Sequence, residues 1–169
     1  VYYFYAWLKV TASGAKDVVF SVPTGNFGDI FAGYVAKRMG LPLGQLLLAT
    51  NENNILTSMI NDGDYAIGTV VQTVSPSMDI QVASNFERYL FEASGRDAVG
   101  IRNQMGSLAQ GGRFEITSPL AAMRRDFSAA AASEDEVANA IRSLKRDSGY
   151  LMDPHTACGM VALEKCVPE

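Results

Sequence analysis

Apolar and polar positions along the chain switch repeatedly between two periods, and the switches mark the elements. Residues 17–22 (DVVFSV) make a short β-branched run that predicts a strand. Residues 29–39 then place Ile30, Phe31, Tyr34 and Val35 at helical spacing, with Gly40-Leu41-Pro42 closing the helix. Residues 46–49 (LLLA) read as a buried strand, and residues 52–60 as a helix that Asn51 can cap. After a Gly- and Ser-rich stretch over 68–77, Ser84 caps a helix through Phe91, and a further helical pattern runs roughly over 97–109 before Gly111-Gly112. Residues 127–132 predict another strand. Ser133 and Glu136 have the spacing of a capping box, opening a helix that Gly149 terminates. Asp153-Pro154 opens the last helix, because Asp caps and Pro suits the first helical position.

Strands alternating with helices predict βαβ units: an α/β fold with three αβα layers around a mostly parallel sheet. No internal repeat and no Pro-, Gly- or Ser-rich linker divides the chain, so residues 1–169 read as one domain. Residues 63–79 are expected to form a long active loop or surface excursion. Residues 1–13 (VYYFYAWLKVTAS) resemble the last turns of a buried helix, with Gly14 as its left-handed terminator and an aromatic face that needs a cover. Lys9 breaks that run too early for a bilayer span, and the flank and cleavage site of a signal peptide are missing. The reading is therefore of a domain truncated at both ends, the far end being Pro168-Glu169.

Composition narrows the function classes. The chain is 48% hydrophobic and 19% charged, which suits one globular core. A net charge of −4, with scattered basic residues, argues against a dedicated nucleic-acid binder. Cys158 and Cys166 fall on one helix about 12 Å apart at the helical rise, too far for a disulfide, which suits a reducing, cytoplasmic setting. A single histidine and these two cysteines lack the spacing of a zinc site.

The stretch SVPTGNFGDI carries the candidate chemistry. It runs a strand into a turn containing Gly25 and Gly28 and then into a helix opening near Asp29. Such a turn offers backbone N–H groups and the positive end of a helix dipole to an anion, at the edge of the sheet where α/β folds bind ligands. It is neither a Walker A loop nor a G-x-G-x-x-G fingerprint, so a nucleotide is not indicated. On spacing alone, a tight βα turn with glycines used for sterics is the favoured account, because short glycine motifs recur without ligands. Asp29, in the first helical turn, favours the dipole and can point away from the loop.

Three blocks in order, SVPTGNFGDIFAGYVAKRMGLP, SNFERYLF and DPHTACG, resemble those of threonine synthases, pyridoxal-phosphate (PLP) enzymes of the tryptophan-synthase-β-like group, fold type II. The likeness runs over nearly the whole chain. It implies that Gly25, Asn26, Phe27, Gly28 and Asp29 cradle the cofactor phosphate, and that the Thr156 hydroxyl meets the pyridine nitrogen. Without the resemblance, Thr156 reads as a helix-start hydroxyl bonding locally, His155 as an ordinary polar residue, and Ser84, Asn85 and Arg88 as part of a capped surface helix. The reaction implied for the intact enzyme takes O-phospho-L-homoserine and water to L-threonine and inorganic phosphate. A related PLP phospholyase or dehydratase, or a non-enzymatic phosphate-binding α/β module, would share the turn.

One departure from the family pattern bears on catalysis. The family holds PLP as a Schiff base on a lysine in a Phe-Lys-Asp context, and no such block is present. Lys16-Asp17 follows Ala15 and precedes a strand, while Lys9, Lys37, Lys145 and Lys165 fall on helical patterns as solvated side chains. The resemblance therefore implies an internal piece of a threonine synthase, with no catalytic residue in the chain and no activity by itself.

Overall fold

The computed structural model describes residues 1–116 and 118–167; the expectation about the chain's end at Pro168-Glu169 lies outside them. The first helix, α1 (Tyr2–Ala12), leads through Gly14 (φ +93°) to strand β1 (Phe20–Pro23). This strand starts three residues later than the apolar run suggests, because Asp17 adopts a left-handed backbone (φ 54°) that cannot continue an extended segment. Helix α2 (Gly28–Arg38), strand β2 (Leu46–Thr50) and helix α3 (Ile55–Asp62) follow.

The chain then makes a long excursion. Strand β3 (Asp64–Ala66), a 3₁₀ turn at Pro76–Met78, and helices α4 (Phe86–Ala93) and α5 (Ala98–Gly111) precede strand β4 (Arg113–Glu115) and helix α6 (Leu120–Asp126). Strand β5 (Phe127–Ala131) returns to the main sheet, and helices α7 (Glu134–Ser148) and α8 (Pro154–Cys166) close the fold. The expected capping box is present: Ser133 Oγ accepts from the Glu136 N–H at 3.3 Å and Glu136 returns a bond to the Ser133 N–H at 2.9 Å. Gly149 ends that helix at φ +77°.

The main sheet has the order β1-β2-β5, all parallel, with Phe20 opposite Leu46 and Leu46 opposite Phe127. The β3-β4 pair is a separate antiparallel ribbon that the Gly-rich pattern does not announce. Helices cover both faces of the main sheet, as three αβα layers require. One face carries Leu46, Leu48 and Phe127 against α2, α3 and α4. The other carries Ala49, Ala130 and Ala132 against α7 and α8. No helix among the described residues is long and apolar enough to cross a membrane.

Candidate functional site

Residues 25–29 leave the carboxyl end of β1 and enter α2. The turn begins where the Thr24 N–H donates to the Ala49 carbonyl of β2 at 2.8 Å, so the sheet itself fixes its base. Phe27 is the helix N-cap and holds a left-handed backbone, φ 64° and ψ 6°. A bulky side chain there is unfavourable by itself, so tertiary packing must hold it. Its ring is 1% exposed and meets Phe86, Phe127 and Tyr89 at centroid distances of 5.3, 5.5 and 5.9 Å. The aromatic core anchors the turn and leaves its backbone facing outward.

The backbone N–H groups of Gly25, Asn26, Phe27, Gly28 and Asp29 donate to no acceptor among the described residues. Free amides at the start of an eleven-residue helix suit an oxyanion. The carbonyls are turned elsewhere: Asn26 O accepts from the Asn85 N–H and from Asn85 Nδ2 at 3.0 Å, and Asp29 O accepts from the Tyr3 hydroxyl at 3.1 Å. Burial first, and then the Asp29 charge, push the Tyr3 phenol above its ordinary range. A dianionic phosphate fits this arrangement through backbone donors, with no Lys or Arg in the turn.

The two glycines have different reasons. A Cβ on Gly25 would stand 2.8 Å from the Ser77 carbonyl oxygen and 2.9 Å from Ile80 Cδ1, so this glycine admits the 75–80 segment rather than a ligand. A Cβ on Gly28 would meet only Asn85 Nδ2, at 3.4 Å, and otherwise project into open space beside the free amides. Ser84, expected as a helix cap, instead donates its hydroxyl to Asn26 Oδ1 at 3.2 Å, while Asn85 takes the N-cap position of α4.

Thr156 lies in the first turn of α8 on the other side of the same strand end. Asp153 caps that helix through the N–H groups of His155 and Thr156, and the Thr156 hydroxyl also donates to Asp153 Oδ2. These bonds, the Thr156 hydroxyl foremost, hold the Asp153 carboxyl down at about 2. His155 Nδ1 lies 3.1 Å from Asp153 Oδ1 and its Nε2 accepts from the Ser77 N–H at 3.4 Å, an arrangement assigned from the network with the proton on Nδ1. The 75–80 segment therefore touches both α8 and Gly25, and links the two halves of the predicted site.

That segment is held by a buried polar network invisible to periodicity. Asn51 and Asn53, 0% and 2% exposed, follow β2 directly. Asn51 Nδ2 donates to Asp79 Oδ1 at 2.8 Å and to Ser75 Oγ at 3.0 Å; Asn53 Nδ2 donates to Asp79 Oδ1 at 3.0 Å and to the Val71 carbonyl at 2.8 Å. With these side chains so committed, the helix predicted from residue 52 starts only at Ile55, with Asn54 rather than Asn51 as N-cap. The run NENN directly after a buried strand was the available signal.

None of the lysines expected to be solvated meets the turn. Lys37 pairs with Asp126 at 3.2 Å, Lys145 donates to the Gly149 carbonyl at 2.8 Å, Lys165 pairs with Glu136 at 2.7 Å, and Lys9 lies over the Tyr5 ring at 5.6 Å. Lys16 precedes β1 and so sits at the opposite end of the strand from the turn. Cys158 and Cys166 are unpaired, and burial raises both thiols. Among the described residues no group of His, Cys, Asp and Glu could hold a metal ion.

The parallel sheet with its amide-lined turn is an α/β arrangement shared with threonine synthases of known structure, one of them solved with PLP bound. The chain superposes on the PLP-bound threonine synthase of Brucella melitensis with a TM-score of 0.94 at 53% identity, covering 99% of this chain and 36% of that one. The yeast threonine synthase structure gives a TM-score of 0.90 at 37% identity, with 97% and 35% covered. In sequence the chain is similar to threonine synthases: the Pseudomonas aeruginosa enzyme is 43% identical over 167 residues, 98% of this chain. The chain spans about a third of the length of the relatives it matches, 35% of the Pseudomonas sequence. No protein-family model matches it.

Proposed function

We propose that the full-length protein carrying this chain is a threonine synthase, a PLP-dependent lyase that converts O-phospho-L-homoserine and water into L-threonine and inorganic phosphate. The observation that carries the reading is the row of five free amides at the start of α2, in a chain homologous to threonine synthases over almost all its length. In this reading, residues 1–169 are one α/β domain of that larger enzyme. PLP, when bound, supplies the electron sink for carbanions next to the amino-acid carbon.

The chain's own part is to hold and orient that cofactor. Gly25, Asn26, Phe27, Gly28 and Asp29 receive its phosphate through backbone donors, and the α2 dipole adds about 0.3–1 kcal/mol toward the anion. Thr156 would be the residue that meets the ring nitrogen. Its proton is committed to Asp153, so its oxygen presents lone pairs and acts there as an acceptor unless the hydroxyl turns. No lysine of the chain lies by the turn, so the Schiff-base lysine belongs to another part of the enzyme and residues 1–169 alone are inactive. The setting is cytoplasmic and the partner a small molecule, without nucleic acid or membrane.

The experiment is a PLP titration of the full-length protein, wild type against Gly28→Ala, followed by borohydride reduction and peptide mass spectrometry. The fold tolerates a methyl at Gly28, whose nearest neighbour would be 3.4 Å away. Affinity is expected to fall by about 1–3 kcal/mol with little change in melting temperature. The reduced cofactor is expected on a lysine outside residues 1–169. Unchanged affinity would remove the phosphate from this turn, and stoichiometric labelling of Lys16 would place the Schiff base inside the chain.

A further inference from the structure

We propose that Asp79 is a positioning residue for the anion turn: its carboxylate clasps the 67–82 segment so that the backbone at Ser77 and Met78 braces Gly25 and fixes the direction of the free amides. The inference rests on the reading of that turn as the cofactor-phosphate seat.

Asp79 accepts four hydrogen bonds. Oδ1 receives Thr73 Oγ1 at 2.7 Å, Asn51 Nδ2 at 2.8 Å and Asn53 Nδ2 at 3.0 Å, and Oδ2 receives the Thr73 N–H at 3.0 Å. Two of these donors sit on the buried asparagines at the end of β2, so the carboxylate ties a long loop to the rigid sheet. A carboxylate near a phosphate seat would ordinarily repel the ligand. Here its charge is taken up by four donors, and the pair of asparagines shields it.

The brace is steric. The residues flanking Asp79 are those on which Gly25 rests: a Cβ on Gly25 would lie 2.9 Å from Ile80 Cδ1, 3.3 Å from Met78 Cα and 2.8 Å from the Ser77 carbonyl oxygen. From the far side, the Ser77 N–H donates to His155 Nε2 at the start of α8. Met78 is 3% exposed and packs into the core between the sheet and α8. With the segment seated, Gly25 has no room to move toward it. With the clasp open, Gly25, the first of the five free amides, loses its back wall.

The test uses the full-length protein as Asp79→Asn, Thr73→Val and Thr73→Ser. Amide hydrogen exchange is read without cofactor, and PLP affinity by titration. Asp79→Asn replaces an acceptor by a donor facing other donors; it is expected to speed exchange at residues 67–82 and also at Thr24 and Asn85, whose N–H groups bond the Ala49 and Asn26 carbonyls at the turn, and to weaken PLP binding about tenfold or more. Thr73→Val removes one of the four bonds to Asp79, together with the hydroxyl's bonds to Asn51 Nδ2 and Ser75, and is expected to move both readouts the same way by less, while Thr73→Ser keeps both donors and restores wild-type behaviour. Should Asp79→Asn fail to fold, the Thr73 pair decides alone. Faster exchange at 67–82 with unchanged exchange at Thr24 and Asn85 would overturn the proposal, whatever the affinity. If wild-type protein does not bind PLP, the cofactor reading fails, and coupled exchange at Thr24 and Asn85 still supports the brace.

Discussion

The two faces of the main sheet solve different problems. The face against α2, α3 and α4 is built from large rings: Phe86, Tyr89 and Phe127 surround Phe27 and Tyr34 packs on Tyr89 and Phe127, with Tyr89 and Phe127 centroids 4.8 Å apart at 76°. The face against α7 and α8 is built from Ala49, Ala130, Ala132, Ala157, Cys158 and Ala162. Aromatic residues bury roughly 150–250 Å² each, so the first face supplies most of the burial. Small residues bury less but let a helix come close: Ser21 Oγ donates to the Gly159 carbonyl at 2.6 Å, directly from strand to helix. One face stabilises the turn, and the other carries α8, whose His155 reaches the turn through Ser77.

The comparison breaks most clearly at Phe27. Phe27→Ala should cost about 3–5 kcal/mol in urea denaturation, since the ring fills the centre of the aromatic cluster. A loss under about 1 kcal/mol would mean that the turn is held by something other than this face. Gly159→Leu tests the second face and should cost about 1–3 kcal/mol by overpacking, because even a Cβ there lies 3.4 Å from Pro23. Gly159→Ala, an ordinary contact, should be nearly neutral; equal costs for the two variants would show that α8 does not depend on close approach.

Asp153 gives the smallest effect and a pH signature. Asp153→Ala removes the α8 cap and should cost about 1 kcal/mol at neutral pH. The folded carboxyl is held down from its usual 3.8 to about 2, so its contribution is complete above the unfolded value and is lost as pH falls through about 2. The difference between wild type and variant should therefore close over that acidic window in thermal melts. A difference that stays constant down to pH 2 would assign the effect to the helix rather than to the charge.

The sequence pattern revealed what is local. Ser133-Glu136, Gly149 and Asp153-Pro154 specify their helix ends through bonds within four residues, and each appears as expected. The strand at Phe127–Ala131 was legible despite its alanines. The β3-β4 ribbon, the α6 helix and the Asn51-Asn53-Asp79 network were not, because each depends on partners far away in sequence; Asp79 lies 28 residues beyond Asn51. The turn was visible as two glycines, yet the strained residue is Phe27, and only the tertiary ring cluster permits it.

The order β1-β2-β5 carries a kinetic consequence. Phe20 meets Leu46 across 26 residues (46 − 20), but Leu46 meets Phe127 across 81 (127 − 46). Closing the longer loop costs conformational entropy before any ladder bond forms, and non-local parallel pairing is slow for this reason. Docking of β5, and with it α7 and α8, must therefore come after the β1-α2-β2 unit. The 25–29 turn, whose Phe27 ring packs on Phe127 of β5 and on Phe86 and Tyr89 of α4, is therefore completed only when β5 docks, in the same late step that brings the start of α8 into place.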